Sequence, residues 1–277
     1  MTGPVTGSIT GQATGSMTGR RVAVVTGAAR GIGAATVTRL AEDGWAVVAV
    51  DRCADDPDVP YPLAGPGQLD ALAQEFPLVR AVHADVRDAA AVRDAVELAE
   101  TEFGGLDAAV AGAAVLLGGG PVWEHSDAHW RTLLDVDVLG VVHLARAAVP
   151  ALLRRPRPRT GRFVALASAA AHRGLWGLGS YCAAKHAVLG LVRSLACDLR
   201  GTGVNAVAVS PGSTRTDMLR ATADLYGLTD EQELAEHQLL QRLLEPEEVA
   251  SVIAFACSEA AASVTGTVLH ADGGFAG

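Results

Sequence analysis

From Arg21 onward, short apolar runs alternate with helix-forming stretches, and that alternation leaves few folds open to the chain. The runs fall at 21–26, 45–50, 79–84, 106–111, 162–168, 204–210 and 267–270. Helical stretches fall at 32–43, 88–103, 126–152, 180–199 and 246–258, with a shorter one at 68–76. Runs apolar throughout suit strands covered on both faces, and strand–helix repetition builds a parallel sheet. The expectation is an α/β fold, a doubly wound parallel sheet of about seven strands with helices on both faces. Hydrophobic residues make up 49% of the chain but aromatics only 4%, so small aliphatic side chains let helices approach the sheet closely. No composition break after residue 20 suggests a second domain, and 20–277 reads as one unit. Residues 1–19 repeat Thr-Gly every four positions with almost nothing to bury, and read as a disordered tail.

The first run leads into Thr26-Gly27-Ala28-Ala29-Arg30-Gly31-Ile32-Gly33 and then directly into a helix. Glycines there permit a tight turn and bring backbone close to a pyrophosphate, which the helix N-terminus stabilises. A dinucleotide site is expected, with Gly27, Arg30, Gly31, Ile32 and Gly33 around it. Asp51 ends the second strand, where a carboxylate accepts hydrogen bonds from ribose hydroxyls and repels a 2′-phosphate. That favours NAD over NADP, with Arg30 and Arg52 as the opposing signal. Asp85 and Val86, after the third strand, read either as an adenine contact or as a helix cap. The small residues Ala111 and Gly112 after the fourth let a cofactor lie against backbone. Pro211, Gly212, Thr214 and Thr216 follow the sixth strand, at the sheet edge where ligands collect.

Two segments read as covers. Residues 52–76 form a Pro-, Gly- and Asp-rich excursion placed directly after the ribose-binding carboxylate. Residues 213–244 carry short helices of mixed faces and read as a substrate lid.

The chemistry-bearing stretch is Ser168–Lys185, SAAAHRGLWGLGSYCAAK. Tyr181 and Lys185 lie four residues apart, on one face of a helix. A neighbouring ammonium favours the phenolate and lowers the phenol pKa, so Tyr181 could exchange a proton while Ser168 holds a substrate oxygen. Asp135 and Asp137 sit inside the otherwise apolar 126–152 stretch. A carboxylate there is costly unless paired, so at least one should face a polar site.

Other classes fit less well. Net charge is −9, and the Arg154–Arg159 cluster is brief and Pro-broken, so it reads as a solvated loop and nucleic acid is not an expected partner. Four cysteines without Cys-x-x-Cys spacing suit a reducing, cytoplasmic setting. Apolar runs fall short of a membrane span, and the N-terminus lacks signal-peptide regions. His125 and His129 lack the glutamate of a zinc helix and read as surface residues, with no metal site. A Ser–His hydrolase using Ser168 and His172 lacks the Gly-x-Ser-x-Gly elbow.

Together these residues resemble the short-chain dehydrogenase/reductase family over 21–275. The resemblance rests on TGxxxGIG at 26–33, Asp51, Asp85-Val86, Ser168, Tyr181-x-x-x-Lys185, Pro211-Gly212 and Asp272-Gly273-Gly274. It implies a single-domain Rossmann fold, NAD(P)-dependent interconversion of alcohols and carbonyls, and a homotetramer. Ser168 would orient the carbonyl oxygen and Tyr181 would be the general acid/base. Lys185 would bind the nicotinamide ribose and lower the Tyr181 pKa. Thr214 and Thr216 would contact the nicotinamide amide or the phosphates. The 52–76 wording is similar to the mycofactocin-coupled branch, whose members keep NAD bound and pass electrons to a peptide-derived redox carrier. Two departures stand out: Ala111-Gly112-Ala113-Ala114 replaces the usual Asn-Asn-Ala-Gly, and the tetrad asparagine falls on Asp137. They leave open a second class, a cofactor-binding but impaired scaffold or sensor. Leu116, Leu117, Trp123, Leu175, Trp176, Leu178 and Met218 are candidates for a pocket taking a hydrophobic secondary alcohol.

Overall fold

In the computed structural model, residues 19–275 are described; most of the Thr/Gly tail, residues 1–18, lies outside them. Seven strands form one sheet: β1 Val22–Thr26, β2 Ala46–Asp51, β3 Val79–His83, β4 Ala108–Ala111, β5 Arg162–Leu166, β6 Asn205–Pro211 and β7 Val268–Ala271. Their order is β3-β2-β1-β4-β5-β6-β7, and every pairing is parallel. The helices are α1 Gly31–Glu42, α2 Gln68–Glu75, α3 Ala89–Phe103, α4 Asp127–Leu133, α5 Gly140–Arg154, α6 Gly179–Asp198, α7 Asp217–Leu225 and α8 Pro246–Cys257.

The sheet separates two apolar cores. Val22, Val24, Val48 and Val50 face one, whereas Ala23, Val25, Val47 and Ala49 face the other. Alternate side chains point to opposite faces, so a strand apolar at every position serves both. Burying side chains such as Leu40 or Ile253 stabilises by ~1.5–3 kcal/mol each. Strand order reverses between β1 and β4, and a crevice opens at the carboxyl ends of the strands on either side of such a reversal. The Arg154–Arg159 stretch is not merely solvated: Arg154 pairs with Glu100, and Arg155 with Asp107, whose carboxylate also accepts from the Val22 amide.

The 126–152 helix is not continuous. A π-helical segment, Leu134–Leu139, separates α4 from α5. It turns Asp137 into the interior while Asp135 stays exposed. The span Asp127–Arg154 is long and apolar enough to cross a membrane by length and composition, contrary to the sequence expectation. Here its Leu133, Leu144, Ala148 and Leu152 are buried in the core.

Candidate active site

A cleft of about 810 Å³ runs along the carboxyl edge of the sheet. Its lining joins Gly27, Arg30, Gly31, Ile32 and Gly33 to Asp51, Arg52, Asp85 and Val86, then to Gly112, Ser168, Tyr181, Lys185, Pro211, Gly212, Thr214 and Thr216. Ala111 does not reach it, because it is the last buried residue of β4; Ala113, Ala114 and Val115 line the wall instead.

The glycine turn is set by contact. A Cβ on Gly33 would lie 1.8 Å from the Gly27 carbonyl oxygen, and one on Gly27 would lie 2.6 Å from the Ala113 nitrogen. At the α1 N-terminus, Arg30 gives the first turn no side-chain cap, so these amides stay open toward the cleft. A tight glycine cradle below an uncapped helix start fits a pyrophosphate. Asp51 fits the ribose end: its Oδ2 accepts from the Ala29 amide at 3.0 Å and its Oδ1 from Cys53 at 3.1 Å, leaving lone pairs on both oxygens.

Neither arginine of the opposing signal is free. Arg52 pairs with Asp56 and, at 3.6 Å, with Asp85. Arg87 joins Asp85 at 2.6 Å and Asp56 at 2.8 Å. Asp85 is therefore an ion-pair member rather than the helix cap, and Asp88 caps α3 by accepting from Ala90 and Ala91. Burial works to raise both Asp56 and Asp85, but hydrogen bonds outweigh it and hold both carboxyls below the usual range. For Asp56 these come from the Asp58 amide and Arg52, and for Asp85 from Arg87.

The 52–76 excursion is ordered by such contacts. Asp56 is 5% exposed. Asp55 accepts from the Leu63 amide at 2.8 Å, and the Tyr61 hydroxyl accepts from the Leu116 amide at 2.8 Å. Arg30 donates to the Pro62 carbonyl at 2.9 Å and to Asp217, on α7, at 3.1 Å. Asp56, Tyr61, Arg87 and Asp217 escaped the sequence reading. Its one available signal was the acidic run after Arg52 set against the Asp85-x-Arg87 pair.

Where the usual asparagines are missing, Thr26 of the glycine motif ties the end of β4 to β1. Its Oγ1 accepts from the Gly112 and Ala113 amides at 3.2 and 3.4 Å and donates to the Val110 carbonyl at 3.4 Å. Gly112 is required there, since a Cβ would come 2.7 Å from the Thr26 carbonyl oxygen.

Ser168 lies just past β5, where its Oγ accepts from Ala170 at 3.1 Å. Tyr181 and Lys185 project from the first turns of α6, both buried. The Lys185 ammonium stands 5.6 Å from the Tyr181 ring centre, donates to the Leu166 carbonyl at 3.4 Å, and lies 3.0 Å from the Asp137 carboxylate. Asp137 Oδ1 accepts from the Val115 amide at 2.9 Å. Burial alone would lower Lys185, but Asp137 and then Tyr181 outweigh it and keep it above its ordinary value. Burial raises Asp137, with Lys185 opposing. For Tyr181 burial is the largest effect and raises the phenol; Lys185 and a Ser168 hydrogen bond pull it back, and Asp137 pushes it up again. The expected lowering by Lys185 is present but outweighed.

Leu175, Trp176, Leu178 and Met218 line the cleft beyond Ser168, with Leu219, Tyr226 and Leu228 from the 213–244 segment. Leu116 and Leu117 are core residues, and Trp123 is 81% exposed away from the lining. His125 is not a surface residue: it is buried, with Nδ1 2.8 Å from Ser180 Oγ. His129 is half-buried.

Ser168, Tyr181 and Lys185 thus line one cleft together with the glycine turn and Asp51. The family model described as enoyl-(acyl carrier protein) reductase matches residues 27–276. The chain belongs to the short-chain dehydrogenase/reductase family. It is 37% identical to cis-4-hydroxycyclohexanecarboxylate dehydrogenase of Sinomonas cyclohexanicum, covering 92% of this chain and 96% of the relative. It is 34% identical to (-)-trans-carveol dehydrogenase of Rhodococcus erythropolis, again over 92% and 96%. The crystal structure of carveol dehydrogenase from Mycobacterium avium in complex with NAD superposes with TM-score 0.87 at 29% identity, covering 96% of this chain and 99% of that one.

Proposed function

We propose that this protein interconverts a hydrophobic secondary alcohol and its ketone with NAD as partner. One observation carries the reading: Ser168, Tyr181 and Lys185 line the same cleft as the glycine cradle and Asp51. A nicotinamide ring bound there supplies the hydride acceptor or donor. Gly27, Gly31, Gly33 and the open α1 N-terminus would hold the pyrophosphate, Asp51 the adenosine ribose, and Thr214 and Thr216 the nicotinamide end. NAD rather than NADP is favoured because Arg30 and Arg52 are engaged by carboxylates of this chain.

Ser168 orients the substrate oxygen, and Tyr181 Oη takes its proton during alcohol oxidation and returns it during reduction. An ammonium has three donors. The Leu166 carbonyl engages one on Lys185 and Asp137 balances its charge, leaving a donor for a ribose hydroxyl. Leu175, Leu178 and Met218 provide an apolar wall, with 213–244 as the lid that excludes water. The names of similar relatives cover 4-hydroxycyclohexanecarboxylate, carveol and 2,3-butanediol, which supports a secondary alcohol here.

The finer reading is that NAD stays bound and is re-oxidised by a mycofactocin-type, peptide-derived carrier. It is supported by the 52–76 excursion, which reaches the glycine loop through Pro62 and Arg30 and the β4 loop through Tyr61 and Leu116. The assembly expected of the family is a homotetramer. The test is to denature protein purified without added cofactor and identify the released nucleotide. Stoichiometric NAD, with no turnover of free NAD but activity on an artificial acceptor, is the expected result. An empty protein that turns over soluble NAD overturns the tight-binding reading, and one that transfers no hydride from any secondary alcohol, cyclic or open-chain, overturns the whole.

A further inference from the structure

Lys185 serves two acidic groups at once. Its ammonium lies between the Tyr181 ring, 5.6 Å away, and the Asp137 carboxylate, 3.0 Å away, and both lysine and aspartate are nearly sealed from solvent, at 3% and 0% side-chain exposure. Asp137 arrives there because the π segment between α4 and α5 widens the helix at that point and turns it inward. Its other oxygen takes the Val115 amide, so one carboxylate ties the cleft wall after β4 to the catalytic lysine.

The ammonium is held by Asp137 and by the Leu166 carbonyl, and Tyr181 also favours its charged form. Asp137 also divides the lysine's field. A lone ammonium beside a phenol favours its ionised form, and a carboxylate on the far side of that ammonium cancels much of the effect. The groups facing Tyr181 are Lys185 and Cys182 on α6, Ser168 after β5, Asp137 on the π segment, and Tyr61 from the excursion, which has Arg30 near it. Among the described residues, Lys185 is the cation set against the phenol, and Asp137 the carboxylate that shares it.

We propose that Asp137 is a positioning residue that anchors the Lys185 ammonium and shares its charge with Tyr181, so that Tyr181 takes a proton from the alcohol only in more alkaline solution than an uncharged side chain at position 137 would require. This rests on the reading of Tyr181 as the proton-transfer group. The chain is thereby matched to alkaline oxidation, or to reduction near neutrality, where the protonated phenol is the donor.

The test is the pH profile of kcat/KM for oxidation of a ring alcohol by the holoenzyme, wild type against Asp137→Asn. The amide keeps the shape but carries no charge, and its single acceptor oxygen can serve either the Val115 amide or the Lys185 ammonium, not both. The acid limb is expected to move toward lower pH by about one unit or more. A limb that stays in place, or moves to higher pH, overturns the proposal even if activity falls, because a purely structural role lowers activity without moving the limb. Wild-type protein that transfers no hydride defeats the functional reading instead. A second measurement needs no turnover: the ultraviolet difference titration of wild type and of Asp137→Asn, each against the same protein carrying Tyr181→Phe. Phenolate from Tyr181 is expected at lower pH in Asp137→Asn than in wild type, and an equal or higher onset overturns the proposal.

Discussion

Arg30 and Asp217 are 187 residues apart in the chain and 3.1 Å apart in space. The same guanidinium nitrogen reaches the Pro62 carbonyl at 2.9 Å, so the glycine loop, the excursion and the start of α7 meet at one side chain. A half-exposed ion pair is worth up to ~1 kcal/mol and the second hydrogen bond about as much again. Arg30→Ala is therefore expected to speed release of bound dinucleotide roughly tenfold, read as the off-rate after dilution. An unchanged off-rate would show that neither contact restrains the cofactor.

Tyr61 fixes the excursion to the loop after β4. Tyr61→Phe leaves the Leu116 amide without its partner in a buried setting, which costs about 1–3 kcal/mol. Urea unfolding of the two proteins measures it. Equal midpoints would mean that water replaces the hydroxyl without penalty.

Tyr181→Phe removes the proton-transfer oxygen and little volume. Turnover is expected to fall by roughly 10²–10⁴-fold while nucleotide content on purification stays the same. Activity within a factor of a few of wild type would move the acid/base role to another group.

Gly33→Ala and Gly190→Ala make an internal comparison. At Gly33 the new Cβ would lie 1.8 Å from backbone, whereas at Gly190, exposed on α6, nothing lies within 4 Å. The first is expected to abolish nucleotide binding or folding. The second is expected to stabilise by up to ~1 kcal/mol through helix propensity. Thermal melts with nucleotide analysis distinguish them, and similar behaviour of the two would disprove the steric account.

The Arg52–Asp56–Arg87–Asp85 cluster gives stability a pH dependence. Asp56 and Asp85 are held below their usual value of 3.8, so the folded state binds these protons less readily than the unfolded chain. The stabilisation is complete above the unfolded carboxylate range and is lost as pH falls through the lower folded values. Arg87→Ala is expected to destabilise by roughly 1–3 kcal/mol near neutrality, and the gap to wild type should close below about pH 4. A gap that persists in acid would mean the loss comes from packing.

Much of the architecture was readable along the chain. Seven apolar runs became seven parallel strands, because a strand buried on both faces announces itself by composition alone. The glycine turn was equally legible, since its spacing answers to contacts within one strand–turn–helix unit. Ser168, Tyr181 and Lys185 share a short stretch, and their common cleft follows from one strand end and one helix start.

What tertiary structure decided was partnership. The resemblance put Asp137 at the tetrad asparagine's place, near Lys185 48 positions on, but the direct 3.0 Å ion pair and the π segment that turns the carboxylate inward come from how the two helices converge. Leu116 and Leu117 read as pocket residues yet went to the core, and His125 read as surface yet found Ser180. The Asp56 carboxylate, one of an acidic run in a Pro-rich excursion, became the buried partner of two arginines from different strand ends. Local periodicity records whether a residue is covered, because covering is a property of the element it sits on. Which charge it meets there depends on how separate elements converge, and that is settled only when the whole sheet closes its helices around it.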